Sequence, residues 1–281
     1  MPDNRTDNTH CGLVAIVGRP NVGKSTLLNH LLGQKLSITS RKPQTTRHRI
    51  LGVKTCDETQ LIFIDTPGLH KEEPRAMNRY MNKAACSALA EVDVVVFMVS
   101  GVVWNELDEL VLDKIKAAGK PTILLINKID QLKEKEQLLP VIEQARQRHG
   151  FLSIVPISAL KEDNLDVLEQ ELITQARPGT FLFPEDQITD RTQRFLFAEM
   201  IREKITRQLG DEIPHSIAVE IETFEYGEGV WHINAVILVE RKGQKAIVIG
   251  KSGARLKKIG EEARKDMERM LDLINHNYPL L

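Results

Sequence analysis

The run Gly18-Arg19-Pro20-Asn21-Val22-Gly23-Lys24-Ser25 has the spacing G-x-x-x-x-G-K-[ST] of a phosphate-binding loop. Glycines in such a loop let backbone N–H groups turn inward around phosphate oxygens, and a helix opening at Lys24 adds favourable partial charge. Lys24 is expected to reach the β and γ phosphates, and the Ser25 hydroxyl to ligate Mg²⁺, with Arg19, Pro20, Val22 and Thr26 completing the binding run. From average composition a four-position match of this kind arises about once in a hundred chains of this length.

Phosphate loops serve ATP and GTP alike, so the base has to be read elsewhere. Asn127-Lys128-Ile129-Asp130 has the pattern N-K-x-D. A carboxylate at Asp130 accepts from guanine N1–H and N2–H₂ together, and adenine offers no such pair of donors. Asn127 is expected to brace neighbouring loops and the Lys128 stem to pack on the base plane. Ser158-Ala159 lies after the next apolar run, where a backbone N–H would meet guanine O6. N-K-x-D alone also fits a solvated loop; in order after a phosphate loop it favours GTP.

Asp65-Thr66-Pro67-Gly68 ends another apolar run. D-x-x-G arises about once by chance in this length, and its position is what gives it meaning. Asp65 is expected to hold Mg²⁺ through water and the Gly68 N–H to sense the γ-phosphate. Lys42-Pro43-Gln44-Thr45-Thr46-Arg47 lies where a switch loop belongs, with Thr46 favoured as a Mg²⁺ ligand and Thr45 the alternative. Leu69 follows Gly68, where many GTPases place a glutamine that orients the attacking water. Leucine cannot hydrogen-bond water, so slow intrinsic turnover is expected. Asn21 has two readings: its amide oxygen holds a monovalent cation such as K⁺ beside the phosphates, or it braces the switch loop. The expected catalytic set is thus Lys24, Asn21, Thr46 and Gly68.

A second chemistry sits near the other end. Gly250-Lys251-Ser252-Gly253 has the G-x-x-G spacing with which KH domains clamp a nucleotide backbone. Arg255, Lys257 and Lys258 follow. From Arg241 to Arg269 there are ten Lys or Arg against four Asp or Glu, in a chain whose net charge is −1. Phosphate contacts need such local polarisation. The plain alternative is a solvated basic face. Leu256, Ile259, Ala263, Met267 and Met270 form one helical stripe and read mostly as core.

These groups need a scaffold. Gly12–Val17, Leu61–Ile64, Val94–Val99, Ile123–Ile126 and Ile154–Ile157 are short continuous runs of Val, Ile and Leu, as strands covered on both faces require. Segments such as 24–32 and 107–118 fit crossover helices, and a helix from Leu165 to Ala176 would close the unit before Arg177-Pro178-Gly179. A helix from about Arg191 to Leu209 presents Phe197, Ile201, Ile205 and Leu209 on one face. Two alternating segments follow: Ile217, Val219, Ile221 and Thr223 share a face, as do Trp231, Ile233, Ala235, Ile237 and Val239. A hairpin at 226–229 joins them. The 281 residues have room for two cores, with 42% hydrophobic and 27% charged residues. Cys11, Cys56 and Cys86 lack the spacing of a metal site and read as reduced thiols. No signal-peptide core opens the chain, and no apolar run is long enough to span a bilayer, so a cytoplasmic protein is expected.

The runs GRPNVGKST, PQTTRHRI, DTPGLH, NKID and ISA, then PEDQITDRTQRF and VIGKSGARLKKIGEEARKDME, occur in the order and approximate spacing of the Era family of bacterial GTPases. The chain resembles that family from about Gly12 to Met270. The resemblance implies an α/β phosphate-loop G domain over residues 1–180, mostly parallel sheet with helices on both faces. The stretch from Phe181 to Asp190, containing Pro184, reads as an ordered linker, and a smaller α+β type II KH domain at 191–281 would follow. It further implies binding of GTP and GDP, GTP hydrolysis and Mg²⁺. Implied partners are the 3′ end of small-subunit (16S) ribosomal RNA and the 30S subunit during its biogenesis. A monomer with peripheral attachment to the cytoplasmic membrane face completes the expectation. The alternative is a nucleotide-gated RNA-binding module with negligible hydrolysis. One departure stands out: family members usually continue past the basic helix into a strand, whereas here only Leu271, Leu273 and Ile274 offer a beginning for one.

Overall fold

A computed structural model describes residues 8–39, 49–66, 68, 76–209 and 217–277. Contacts divide the chain into two units, Met1–Leu36 with Thr46–Asp190, and Ser37–Thr45 with Arg191–Leu281. In the first, strands and helices alternate as β1 (His10–Val17), α1 (Lys24–Leu31), β2 (Ile50–Cys56), β3 (Thr59–Asp65), α2 (Ala76–Glu91) and β4 (Val94–Ser100). They continue as α3 (Glu106–Ala118), β5 (Thr122–Asn127), α4 (Leu138–Arg148), β6 (Ser153–Ile157), α5 (Leu165–Gln175) and β7 (Arg177–Pro178). The sheet order is β2-β3-β1-β4-β5-β6, parallel apart from β2 on β3 and the short β7 on the start of β1.

The apolar runs are continuous because the sheet is covered on both faces. On β1, Val14 and Ile16 enter the layer formed with Leu27, Leu28 and Leu31 of α1 and Leu168 and Leu172 of α5. Ala15 and Val17 enter the opposite layer, with Ala88 of α2, Val111 and Ile115 of α3, and Ala145 of α4. Each fully buried Val, Leu or Ile among them contributes about 1.5–3 kcal/mol of transfer free energy.

Two strands were not foreseen. β2 mixes Gly52, Lys54 and Thr55 into its run because it is half-buried along part of its length. Its backbone receives the stretch after β7: the Val53 N–H donates to Ile188 O at 2.8 Å and Thr189 Oγ1 to Leu51 O at 2.7 Å. The buried Gln60 accepts from the N–H groups of Leu182 and Phe183 at 2.9 and 3.0 Å, so residues 182–190 are tied to the first unit. Arg177-Pro178 does end α5, and also pairs with Cys11 and His10.

The second unit contains α6 (Gln193–Gln208), the hairpin β8 (Ile217–Gly227) and β9 (Val230–Val239), then α7 (Lys242–Ile249) and α8 (Ala254–Asn277). Thr192 caps α6 by accepting from the Phe195 N–H, and Phe197, Ile201, Ile205 and Leu209 are buried at their steps of four. The expected inward position of Thr223 is corrected by a bulge between Ile221 and Thr223. The extra residue shifts the alternation, so Phe224 stacks on Trp231 at 4.6 Å and meets Phe197 edge-on. Ile259, Ala263, Met267 and Met270 are core, but Leu256 is 40% exposed. Among the described residues no third strand follows Met270: the backbone at Leu271, Leu273 and Ile274 is helical to Asn277. No glycine or proline interrupts the sequence between Glu261 and Asn277, so helix propagation wins.

Candidate functional site

The phosphate loop leaves the C-terminal end of β1 and enters α1 at Lys24, the position a nucleotide site takes in an open α/β sheet. Lys24 is buried, and its Nζ donates to Gly18 O at 3.0 Å and Arg19 O at 2.9 Å. Burial, the largest influence, lowers its pKa from 10.5 to about 8; Asp65 opposes this and Arg19 reinforces it. The buried Asp65 ends β3, and Ser25 Oγ donates to its Oδ2 at 3.3 Å. A hydroxyl and a carboxylate this close, beside a phosphate loop, form the hard oxygen pair that suits Mg²⁺. Thr66 Oγ1 donates to Ile16 O at 2.9 Å, tying the end of β3 to β1.

The N-K-x-D residues meet the phosphate loop through Asn127. Its Nδ2 donates to Val22 O at 2.7 Å, and its Oδ1 accepts from the Ala159 N–H at 2.9 Å. One side chain thus bridges the loops after β1, β5 and β6. The Lys128 Nζ donates to Asn21 O at 2.9 Å, with both Lys128 and Asn21 in left-handed backbone conformations. Ser158 Oγ donates to Asp130 Oδ1 at 2.6 Å and accepts from the Lys161 N–H at 3.1 Å. Ser158 therefore orients the carboxylate, while the Ala159 N–H is directed at Asn127. Gly18, Arg19, Pro20, Asn21, Val22, Gly23, Lys24, Ser25 and Thr26 lie along the loop and first helical turn. Thr45, Thr46, Pro67 and Leu69 lie outside the described residues.

Sequence reasoning missed Asp108. Arg19 Nε lies 3.1 and 3.2 Å from its two oxygens, and Asp108 also accepts from the Asn105 N–H at the start of α3. The signal for the cap was present as Asn105-x-x-Asp108 before an apolar run. No spacing rule points from there to Arg19.

In the second unit, Gly250-Lys251-Ser252-Gly253 forms the tight turn between α7 and α8. Gly250 has φ 74°, and a Cβ there would lie 2.7 Å from Arg255 Cβ, so glycine is required. An Arg255 Nη1 donates to Ile247 O, bracing the turn. Lys257 and Lys258 are exposed, each 4.0 Å from a glutamate four residues on. Gly253, Leu256, Lys257, Gly260, Glu261 and Arg264 line a shallow, mostly apolar cleft beside the turn.

Fold and sites together define a phosphate-loop GTPase joined to a KH domain. Residues 13–128 match the family described as 50S ribosome-binding GTPase, and residues 212–272 match the KH domain family. The chain is 59% identical to GTPase Era of Marinobacter nauticus, over 96% of this chain and 88% of the relative. It is 56% identical to GTPase Era of Azotobacter vinelandii, over 95% and 89%. A crystal structure of Era in complex with MgGDPNP and nucleotides 1506–1542 of 16S ribosomal RNA superposes with a TM-score of 0.89 at 44% identity, covering 94% of this chain and 90% of that one. Aquifex aeolicus Era bound to GDP and AlF₄⁻ gives the same values. The chain belongs to the GTPase Era family.

Proposed function

We propose that this chain binds and hydrolyses GTP as a switch, and that its KH domain binds 16S ribosomal RNA near the 3′ end during 30S subunit biogenesis. The observation that carries the nucleotide half is the Asn127 bridge, which ties a phosphate loop to a carboxylate oriented by Ser158. Asp130 selects guanine through its paired N–H donors. Loop N–H groups and Lys24 take the phosphates, while Ser25, Asp65 and Thr46, with Thr45 as the alternative, hold Mg²⁺. The ion supplies charge neutralisation to the triphosphate. Gly68 reports the γ-phosphate. With Leu69 in place of a glutamine, water positioning is weak and turnover slow.

The RNA half is supported by the turn geometry at Gly250, the basic run that includes Lys251, Arg255, Lys257 and Lys258, and by the RNA in the related Era complex. Single-turnover hydrolysis with and without a 16S 3′-end fragment tests the joint reading. RNA stimulation is expected, and a negligible rate under both conditions favours the nucleotide-gated RNA-binding module instead. Running the assay in K⁺ and in Na⁺ tests Asn21: a faster rate in K⁺ supports a cation site, and equal rates leave Asn21 as a brace. Among the described residues no helix is long and apolar enough to cross a membrane.

A further inference from the structure

The phosphate loop is held from one side by the base-reading loop and from the other by something the GTPase reading does not use. Asn127 and Lys128 take the carbonyls of Val22 and Asn21, and Lys24 takes those of Gly18 and Arg19. The Arg19 side chain does not join this inward-facing set. It runs to α3, where its Nε sits between the two oxygens of Asp108 at 3.1 and 3.2 Å. Asp108 is 0% exposed and Arg19 21% exposed in their side chains.

Asp108 has two tasks at one carboxylate. Its Oδ2 accepts from the Asn105 N–H at 3.1 Å, completing the reciprocal cap in which Asn105 Oδ1 accepts from the Asp108 N–H. The cap fixes the carboxylate on the first turn of a helix whose Val111, Leu112 and Ile115 are fully buried. Arg19 is therefore anchored to the packed core and not to a mobile side chain. The next residue, Pro20, forms the wall against Gly68: a Cβ at Gly68 would lie 2.9 Å from Pro20 N. A shift of Arg19 would thus move both the carbonyl that holds Lys24 and the surface that Gly68 faces.

We infer that Asp108 is a positioning residue for nucleotide binding, acting through Arg19 as a strut that holds the phosphate loop in its binding geometry before nucleotide arrives. Buried ion pairs add little net stability, because desolvation offsets their attraction, and their attested use is to fix geometry. Burial raises the Asp108 pKa above its ordinary value, while the Asn105 N–H and Arg19 pull it back. The paired donors keep a desolvated carboxylate in service. Without the strut, GTP and GDP must both order the loop as they bind, so both lose affinity while the bound complex reacts as before.

The inference rests on the GTP-binding reading, and its test separates the two. Asp108→Asn keeps an oxygen for the Asn105 N–H but turns an amide N–H₂ toward Arg19. Asn105→Ala removes the side-chain half of the cap but keeps the backbone N–H that holds the Asp108 carboxylate, leaving the strut's charge pair. KM and kcat for GTP, GDP affinity and melting temperature are measured on the full chain for wild type, both variants and Arg19→Lys. Because turnover is slow, KM reports dissociation. Asp108→Asn is expected to raise KM for GTP and weaken GDP about tenfold, with kcat unchanged within about twofold. Arg19→Lys should fall between, and Asn105→Ala should keep the wild-type KM even where it melts earlier. A wild-type KM in Asp108→Asn, or an equal rise in Asn105→Ala, overturns the strut. Failure of the wild type to bind GTP would instead remove the nucleotide reading.

Discussion

Residue chemistry decides which nucleotide this chain takes. Asp130 Oδ1 accepts from the Ser158 hydroxyl at 2.6 Å, and its proposed role is to read the base edge with its remaining lone pairs. Asp130→Asn replaces one acceptor with a donor. It should weaken GTP by about 10²-fold, because a guanine donor loses its partner. It should also gain affinity for the triphosphate of xanthine, which carries a carbonyl where guanine has its amino group. Competition titration with both nucleotides checks the exchange; equal loss of both would mean that Asp130 supports the fold and does not read the base. Asn127 and Lys128 were legible as a motif in sequence. Their particular partners, the carbonyls of Val22 and Asn21, were not, since a motif names residue types and not the backbone atoms brought to them.

At the scale of elements, the tight turn at Gly250 and the exposed first turns of α8 carry the RNA reading. Gly250→Asp should weaken RNA binding at least tenfold, since it places a side chain at a positive φ and a negative charge where phosphate must approach. GTP hydrolysis without RNA should not change. Lys257→Ala should lower affinity for every RNA sequence and reduce the salt slope by about 0.7. An unchanged slope would mean that Lys257 does not meet phosphate. The parallel strands were legible because burial on both faces leaves continuous apolar runs. β2 was not, since Gly52 and Lys54 interrupt its pattern and its register depends on β3. The bulge before Thr223 was equally silent, and it turned Phe224 toward Phe197 and Trp231. Leu271 and its neighbours were ambiguous in sequence, since one short apolar run serves a strand or the end of a helix; continuity with α8 decided it.

Across the whole molecule, charge and chain path organise the two activities. Residues 217–240 contain five glutamates and no lysine or arginine, whereas the segment from Arg241 to Arg269 has an excess of basic residues. On the proposed reading, this asymmetry would draw RNA to the helical side of the second unit and away from its hairpin. The chain leaves the first unit after Leu36 and re-enters it at Thr46, and the segment between groups with the second unit. Within it, Arg207 donates to Thr39 O at 3.1 Å and to Thr39 Oγ1 at 2.8 Å. Thr39 lies six residues before Thr45 in sequence, so on the proposed switch reading the Arg207–Thr39 hydrogen bonds would connect that loop to α6. Arg207→Ala should shrink the difference in RNA affinity between the GTP and GDP forms, measured by filter binding with each nucleotide. A difference that stays at the wild-type value would place the coupling elsewhere.

Everything above depends on one selective pocket, and displacement of a fluorescent GTP analogue from the wild-type protein in Mg²⁺ tests it most directly. GTP should displace the analogue completely, ATP should fail at about a hundredfold excess, and Lys24→Ala should hold neither. Displacement by ATP as readily as by GTP, or an analogue bound normally by Lys24→Ala, would contradict the account.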